Sequence, residues 1–217
     1  CPESKLSGVE YKDFINSMWY HRAVEIPAAW DGKKILLNFG AVDYTSSIYV
    51  NGKLAGRHYG GSSSFSVDVT RFVEPGKTAD VVVWVQDDVR AGVQASGKQC
   101  PDYYSRGCHY TRVTGIWQTA WMEPVPAAHI DTYYAVSDID AGTLAVSVDA
   151  AVEEGDVIEV VLLADGAPVA KAEGREVVLS VPDMKLWSPA DPYLYDLEIK
   201  VLRDGAAIDC VKGYTAM

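Results

Sequence analysis

Apolar residues recur at every second position through much of this chain, and that period restricts the fold more than any other feature. In Ser64-Phe65-Ser66-Val67-Asp68-Val69 the apolar side chains alternate with polar ones, as in a strand with one face buried. Tyr195, Leu197, Ile199 and Val201 alternate with Asp196, Glu198 and Lys200 in the same way. Val81 to Val85 is apolar and mostly β-branched with Trp84 inside it, which suits a strand covered on both faces. Ile35 to Phe39 and Ile158 to Leu163 are further short apolar runs. Asn51-Gly52, Asp165-Gly166 and Asp204-Gly205 lie between strand-like segments, and such pairs tolerate the positive φ of two-residue hairpin turns. Pro75-Gly76 marks another turn. No long stretch has helical periodicity. The pattern predicts an all-β protein of sandwich or barrel type.

A length of 217 residues allows one large domain or two small ones. Two prolines in Glu123-Pro124-Val125-Pro126-Ala127 stiffen the chain and cannot donate ladder hydrogen bonds, so a boundary is expected there. The expected domains are residues 1–125 and 126–217. The first is rich in aromatic residues and long loops. The second, with short turns and few aromatics, has the size of an immunoglobulin-like sandwich without the Cys–Trp–Cys arrangement of an antibody domain. The longest irregular stretch runs from Asp87 to Thr114, and loops of that length in compact domains tend to be functional.

The net charge is -11, with 30 acidic and 19 basic residues, and the basic ones are scattered. A nucleic acid partner is therefore not expected. No apolar run approaches the roughly 20 residues that cross a bilayer as a helix, so no membrane partner is expected either. Cys1, Cys100, Cys108 and Cys210 form no CxxC pair, so zinc-site spacing is absent. Cys100 and Cys108 flank one short loop, as two thiols or as a disulfide, which leaves the redox compartment open between a reducing cytoplasm and an oxidising periplasm or secretion. There is no GxSxG elbow and no Gly-rich loop opening a helix; no cofactor and no metal are expected. Glu153-Glu154-Gly155-Asp156 and Asp87-Asp88 read as solvated turn and strand-edge charges rather than catalytic acids.

Four segments, in order, resemble glycoside hydrolase family 2. Met18-Trp19-Tyr20-His21-Arg22 with Ile26-Pro27 is similar to an early strand of that family's sugar-binding domain. Phe39-Gly40-Ala41-Val42, then Tyr49-Val50-Asn51-Gly52 and Gly56, resembles its central hairpin. Tyr110-Thr111-Arg112-Val113-Thr114-Gly115-Ile116-Trp117-Gln118, running into Trp121-Met122-Glu123, resembles its R-x-[ST]-G-I-[WF] segment. Leu186-Trp187-Ser188-Pro189 with Pro192-Tyr193-Leu194-Tyr195 resembles the L-W-S-P…P-x-L-Y signature of its immunoglobulin-like domain. The β-galactosidase-like branch matches best in wording.

The resemblance implies a galactose-binding-like jelly-roll sandwich over 1–125, lacking its first strand, and an immunoglobulin-like sandwich over 126–217. It implies that both ends are cut and that a (β/α)8 barrel with two glutamates carries catalysis in the parent. The fragment would then be inactive alone, bracing the barrel and lending contacts at the substrate mouth. The partner implied is a carbohydrate, reached through the full-length enzyme, with homo-oligomers also possible in the family. Some members of the family carry an aspartate three residues before the motif arginine, where this chain has His109; His109 and nearby Asp102 are the candidate substrate contacts. The alternative for His109 is packing among Tyr103, Tyr104 and Tyr110. Arg112 is expected to fork onto a carboxylate or backbone carbonyls. Trp19 and Trp84 are expected in the core, and Trp117 and Trp121 on one face of one strand. Two rival roles remain: a free-standing carbohydrate-binding module and a structural or adhesion sandwich pair.

Overall fold

The computed structural model describes residues 2–217; Cys1 lies outside the described residues. The chain forms two compact units, Cys1–Pro124 and Val125–Met217. Both are all-β. The only helical pieces among the described residues are single 3-10 turns at Lys5–Ser7, Ala28–Trp30 and Thr70–Phe72.

In the first unit, strands β1 (Ser17–Glu25), β4 (Thr45–Val50), β5 (Lys53–Tyr59) and β7 (Thr78–Gln86) form a sheet in the order β1-β7-β4-β5. Strands β2 (Lys34–Phe39), β6 (Phe65–Asp68) and β9 (Ala120–Val125) form a second, in the order β6-β2-β9. The short strands β3 (Val42–Asp43) and β8 (Gly115–Ile116) pair with each other. Ile35, Leu37, Phe39 and Val67 from one sheet pack with Ile48, Val50, Val81, Val83 and Val85 from the other, a jelly-roll sandwich core. The alternation fixes this arrangement. A slip of one residue in β7 would turn Val81, Val83 and Val85 outward, each losing roughly 1.5–3 kcal/mol of burial.

In the second unit, β10 (His129–Asp138), β11 (Thr143–Ala151) and β14 (Glu176–Ser180) form one sheet. Strands β12 (Val157–Ala164), β13 (Ala167–Glu173), β15 (Tyr195–Arg203) and β16 (Ala206–Thr215) form the other, in the order β13-β12-β15-β16. Leu144, Val146 and Val148 from the first meet Ile158, Val160, Leu197 and Ile199 from the second.

All three expected hairpin turns are present. Asn51-Gly52, Asp165-Gly166 and Asp204-Gly205 have φ of 50° and 75°, 51° and 80°, and 51° and 78°, the doubly positive geometry that matches strand twist. Asn51 also ties its hairpin to the sheet: its Nδ2 donates to Phe72 O at 2.8 Å, and its Oδ1 accepts from Asp80 N at 2.8 Å.

Several tryptophans depart from expectation. Trp19 is 62% exposed. It stands opposite Trp84 in the β1–β7 register, on the side away from the core, and stacks on it with centroids 5.6 Å apart. Trp117 and Trp121 do not share a strand, because residues 117–119 separate β8 from β9. Trp187 is about half exposed (47%), and its backbone N–H donates to Met217 O at 2.8 Å.

Candidate functional site

The long segment from Asp87 to Thr114 contains no strand and is organised by a few specific bonds. Gln99 and Tyr110 form an isolated parallel bridge, flanked by Tyr110 N to Lys98 O at 3.0 Å and Cys100 N to Tyr110 O at 2.8 Å. The Gln99 side chain faces inward. Its Nε2 donates to Asp43 Oδ2 at 2.6 Å, and its Oε1 accepts from Val113 N at 2.6 Å. One amide thereby joins strand β3 to both arms of the loop.

Around this bond lies a cavity of about 580 Å³, lined by Asp43, Tyr44, Gly61, Gln99, Tyr110 and Trp117, among others. Gly61 lies so close to Asp43 that any side chain there would overlap the carboxylate. Trp117 Nε1 donates to Gly61 O at 2.7 Å, which fixes the indole at the rim. Trp117 and Tyr110 are 42% and 53% exposed, whereas Asp43 is 5% exposed. Asp43 Oδ1 has no hydrogen-bond partner among the described residues. Burial raises the Asp43 pKa above the ordinary carboxylate value, the Gln99 bond opposes this, and the charge of Glu3 adds to it. The wall therefore combines two accessible aromatic rings with a buried carboxylate and an oriented amide, the mixture that recognises a polar ligand with apolar faces.

A second polar cluster ties the ends of the loop together. Asp87 Oδ1 accepts from Gln94 Nε2 at 2.6 Å. Thr114 N donates to Glu3 Oε2 at 3.4 Å, and Thr114 Oγ1 donates to Ile15 O at 3.4 Å. Glu3 and Asp87 are each 2% exposed. Burial first, then the charge of Asp43, pushes the Asp87 pKa up to about 6. Tyr20 closes the cluster from β1, its Oη accepting from Ile116 N at 3.1 Å.

Arg112 does not take the partner expected of it. Its guanidinium is buried, and its Nε, Nη1 and Nη2 have no hydrogen-bond partner among the described residues. It lies over the Phe14 ring at 4.1 Å, and Arg90 lies over the same ring at 3.9 Å. Stacking on an aromatic face replaces the expected fork onto a carboxylate. Glu3 is buried beneath Thr114, whose backbone N–H donates to it.

His109 and Asp102 lie on the exposed part of the loop, and neither lines the cavity. His109 N donates to Arg106 O at 3.0 Å, and its Nδ1 is 4.0 Å from Cys108 Sγ. Asp102 Oδ2 accepts from Arg106 Nε at 2.5 Å, and this bond raises the Arg106 pKa. Tyr103 and Tyr104 meet edge to face at 4.8 Å. Cys100, Cys108 and Cys210 are free thiols, Cys100 buried and Cys108 exposed. No group of three or more His, Cys, Asp or Glu side chains suited to a metal occurs among the described residues. The sequence reading missed Asp43, Gln99 and Trp117 as one wall. The signal was present in part, since Asp43 directly follows the resembling segment Phe39-Gly40-Ala41-Val42 and Gly97-Lys98-Gln99 lies within the long loop.

Comparison with known proteins identifies the family of the two sandwiches. Residues 7–107 match the family model described as "Glycosyl hydrolases family 2, sugar binding domain", and residues 128–217 match "Glycosyl hydrolases family 2". A β-galactosidase of Thermoanaerobacter pseudethanolicus is 22% identical over 91% of this chain and 28% of its own length. A β-glucuronidase of Paenibacillus borealis is 24% identical over 88% of this chain and 34% of its own length. A β-glucuronidase structure from Ruminococcus gnavus, in complex with D-glucuronic acid, superposes with a TM-score of 0.77 at 23% identity, covering 94% of this chain and 37% of that one. The chain thus spans about a third of the length of the relatives it matches. With both family models met in order on the two sandwiches, the chain belongs to glycosyl hydrolases family 2.

Proposed function

We propose that this chain is the non-catalytic front of a β-galactosidase-like enzyme that hydrolyses O-glycosidic bonds, and that its first unit lends sugar contacts to that enzyme. The observation that carries the reading is the cavity wall of Asp43, Gln99, Tyr110 and Trp117. A retaining glycosidase needs two carboxyl groups about 5–5.5 Å apart, and an inverting one needs a second carboxylate somewhat farther off. Asp43 is the only Asp or Glu lining this cavity, so the wall can bind a sugar but cannot supply both catalytic groups. Tyr110 and Trp117 offer ring faces to the C–H side of a pyranose, with polar groups nearby for hydroxyls.

His109 and Asp102 extend the same reading at the loop surface. An imidazole bonds a hydroxyl as donor or acceptor, and Asp102 offers a carboxylate already oriented by Arg106. In the parent enzyme the two catalytic glutamates belong to a barrel domain, as family membership implies, and the second unit braces that domain. The β-galactosidase-like branch is favoured by the wording of Gly97-Lys98-Gln99 and Tyr110 to Gln118.

The test is a titration of the 217-residue chain with galactosides and glucuronides, read by tryptophan fluorescence, beside a chromogenic galactoside assay. We expect a saturable change at about millimolar sugar, or roughly -4 kcal/mol, and no hydrolysis. Absence of any saturable change removes the sugar contact. Cleavage above a heat-killed control overturns the non-catalytic reading.

A further inference from the structure

The acidic excess of this protein is confined to one unit. Residues 1–124 hold 13 acidic and 13 basic residues, whereas 125–217 hold 17 and 6, so the whole net charge of -11 falls on the second unit. Within that unit the two sheets treat charge differently. On β13-β12-β15-β16, Glu159 is held by Lys171 at 2.5 Å and Lys200 at 3.7 Å, and Glu198 by Lys200 at 3.1 Å and Lys212 at 2.9 Å. That sheet neutralises itself. Strands β10, β11 and β14 contain no Lys or Arg at all.

The outward face of β10-β11-β14 carries an apolar row bounded by acids. Val136, Ala145 and Val178 stand opposite one another across the three strands. Val136 and Val178 are 66% and 67% exposed, and Tyr134 on the adjacent row is 68% exposed. Asp138 lies on the row at one side. Glu176, on the row with Tyr134 and Ser147, and Asp149 beyond it lie at the other. Asp138 accepts only from the backbone N–H groups of Asp140 and Ala141, at 3.1 and 2.9 Å, and Glu176 accepts from Ser147 Oγ at 2.6 Å. Among the described residues none of the three acids has a cationic partner. The nearest base in sequence, Arg175, donates to Ala150 O at 2.8 Å.

We infer that this face is a docking surface for a polypeptide segment that presents apolar side chains flanked by lysines or arginines. Val136 and Val178, two-thirds exposed on the outer strands with Ala145 between them on the central strand, make one contiguous apolar row, and a contiguous exposed row, unlike scattered apolar residues, marks an interaction site. The acids on both sides of the row select the sign of the partner's flanking charges and exclude partners with acidic flanks. A second copy of this chain is disfavoured, because a two-fold contact would set the same acids against each other. The contact is small and charge-bounded, so it weakens with salt.

The test uses the 217-residue chain and a short synthetic peptide alternating lysine and valine, with a lysine–serine peptide as control, followed by fluorescence anisotropy and amide chemical shifts. We expect saturable binding of the lysine–valine peptide at low salt, with shifts confined to β10, β11 and β14. The pair Val136→Ser with Val178→Ser should weaken binding about tenfold, as should Asp138→Asn with Glu176→Gln. All four positions are on the outward face, so thermal melts should stay close to that of the parent chain; should a variant fail to fold, the shift map of the unaltered chain decides the question alone. Four results overturn the inference: no binding, equal binding of the lysine–serine peptide, shifts spread over the lysine-bearing sheet, or self-association through this face in sedimentation.

Discussion

Gln94 Nε2 donates to Asp87 Oδ1 at 2.6 Å, and this bond joins the first residue after β7 to the loop it opens. Asp87 is buried, its Oδ2 has no hydrogen-bond partner among the described residues, and its pKa is raised from 3.8 to about 6 by burial and by the charge of Asp43. The folded state therefore holds this proton to a higher pH than the unfolded state does. Stability should rise as pH falls from 8 through 6 toward 4, by roughly 3 kcal/mol at most. Urea melts of the first unit at several pH values check this. Asp87→Asn should flatten the slope and stabilise the protein at pH 8; a steeper slope, or a variant weaker at pH 8, would contradict the assignment.

Tyr20 offers a second test of how the loop is closed. Its Oη accepts from Ile116 N at 3.1 Å and donates more weakly to Thr114 O at 3.4 Å. Tyr20→Phe leaves a half-buried N–H without a partner, which costs about 1–3 kcal/mol. We expect a lower melting point for the first unit and faster hydrogen exchange at the Ile116 amide. Unchanged exchange there would show that the hydroxyl is not the tie.

The sequence exposed the strands and turns because both are local signals. The alternation at Tyr195–Val201 and the Asn51-Gly52 turn each depend on neighbours a few residues away. The cavity wall was hidden because it joins Asp43, Gln99 and Trp117 across long separations, and no local period reports a Gln side chain bridging a strand to a loop. Trp19 illustrates the same limit. Its parity puts it on one face of β1, but only the register with Trp84 shows that this face is the outer one. Arg112 was misjudged because the ring of Phe14, nearly a hundred residues earlier, takes the place of a carboxylate.

Asp156 and Arg203 make the bidentate ion pair of the second unit, with Nε to Oδ1 at 2.7 Å and Nη2 to Oδ2 at 2.9 Å. The pair holds the Asp156 pKa down to about 2 and raises that of Arg203. A depressed carboxylate stabilises the fold above its unfolded pKa, so this contribution should fade as pH falls from about 4 through 2. Arg203→Lys replaces the fork by a point charge. Carbon-13 titration of the Asp156 carboxyl should then show its pKa moving toward 3.8, whereas an unmoved value would assign the depression to the Glu153 backbone bond.

Gly61 gives the most direct test of the cavity. A methyl group there would overlap the Asp43 carboxylate, and that carboxylate cannot retreat without breaking its bond from Gln99. Gly61→Ala should therefore cost about 1–3 kcal/mol, the usual price of overpacking. It should also shift the carbonyl that holds Trp117 Nε1, so the tryptophan emission should move to the red. Asp43→Ser removes the obstructing oxygens, and in that background the same glycine substitution should cost less. The expected coupling is about 0.5–3 kcal/mol in a double-mutant cycle read by urea denaturation. Strict additivity would mean that Gly61 and Asp43 do not press on each other, and the cavity wall would then have to be built in another way.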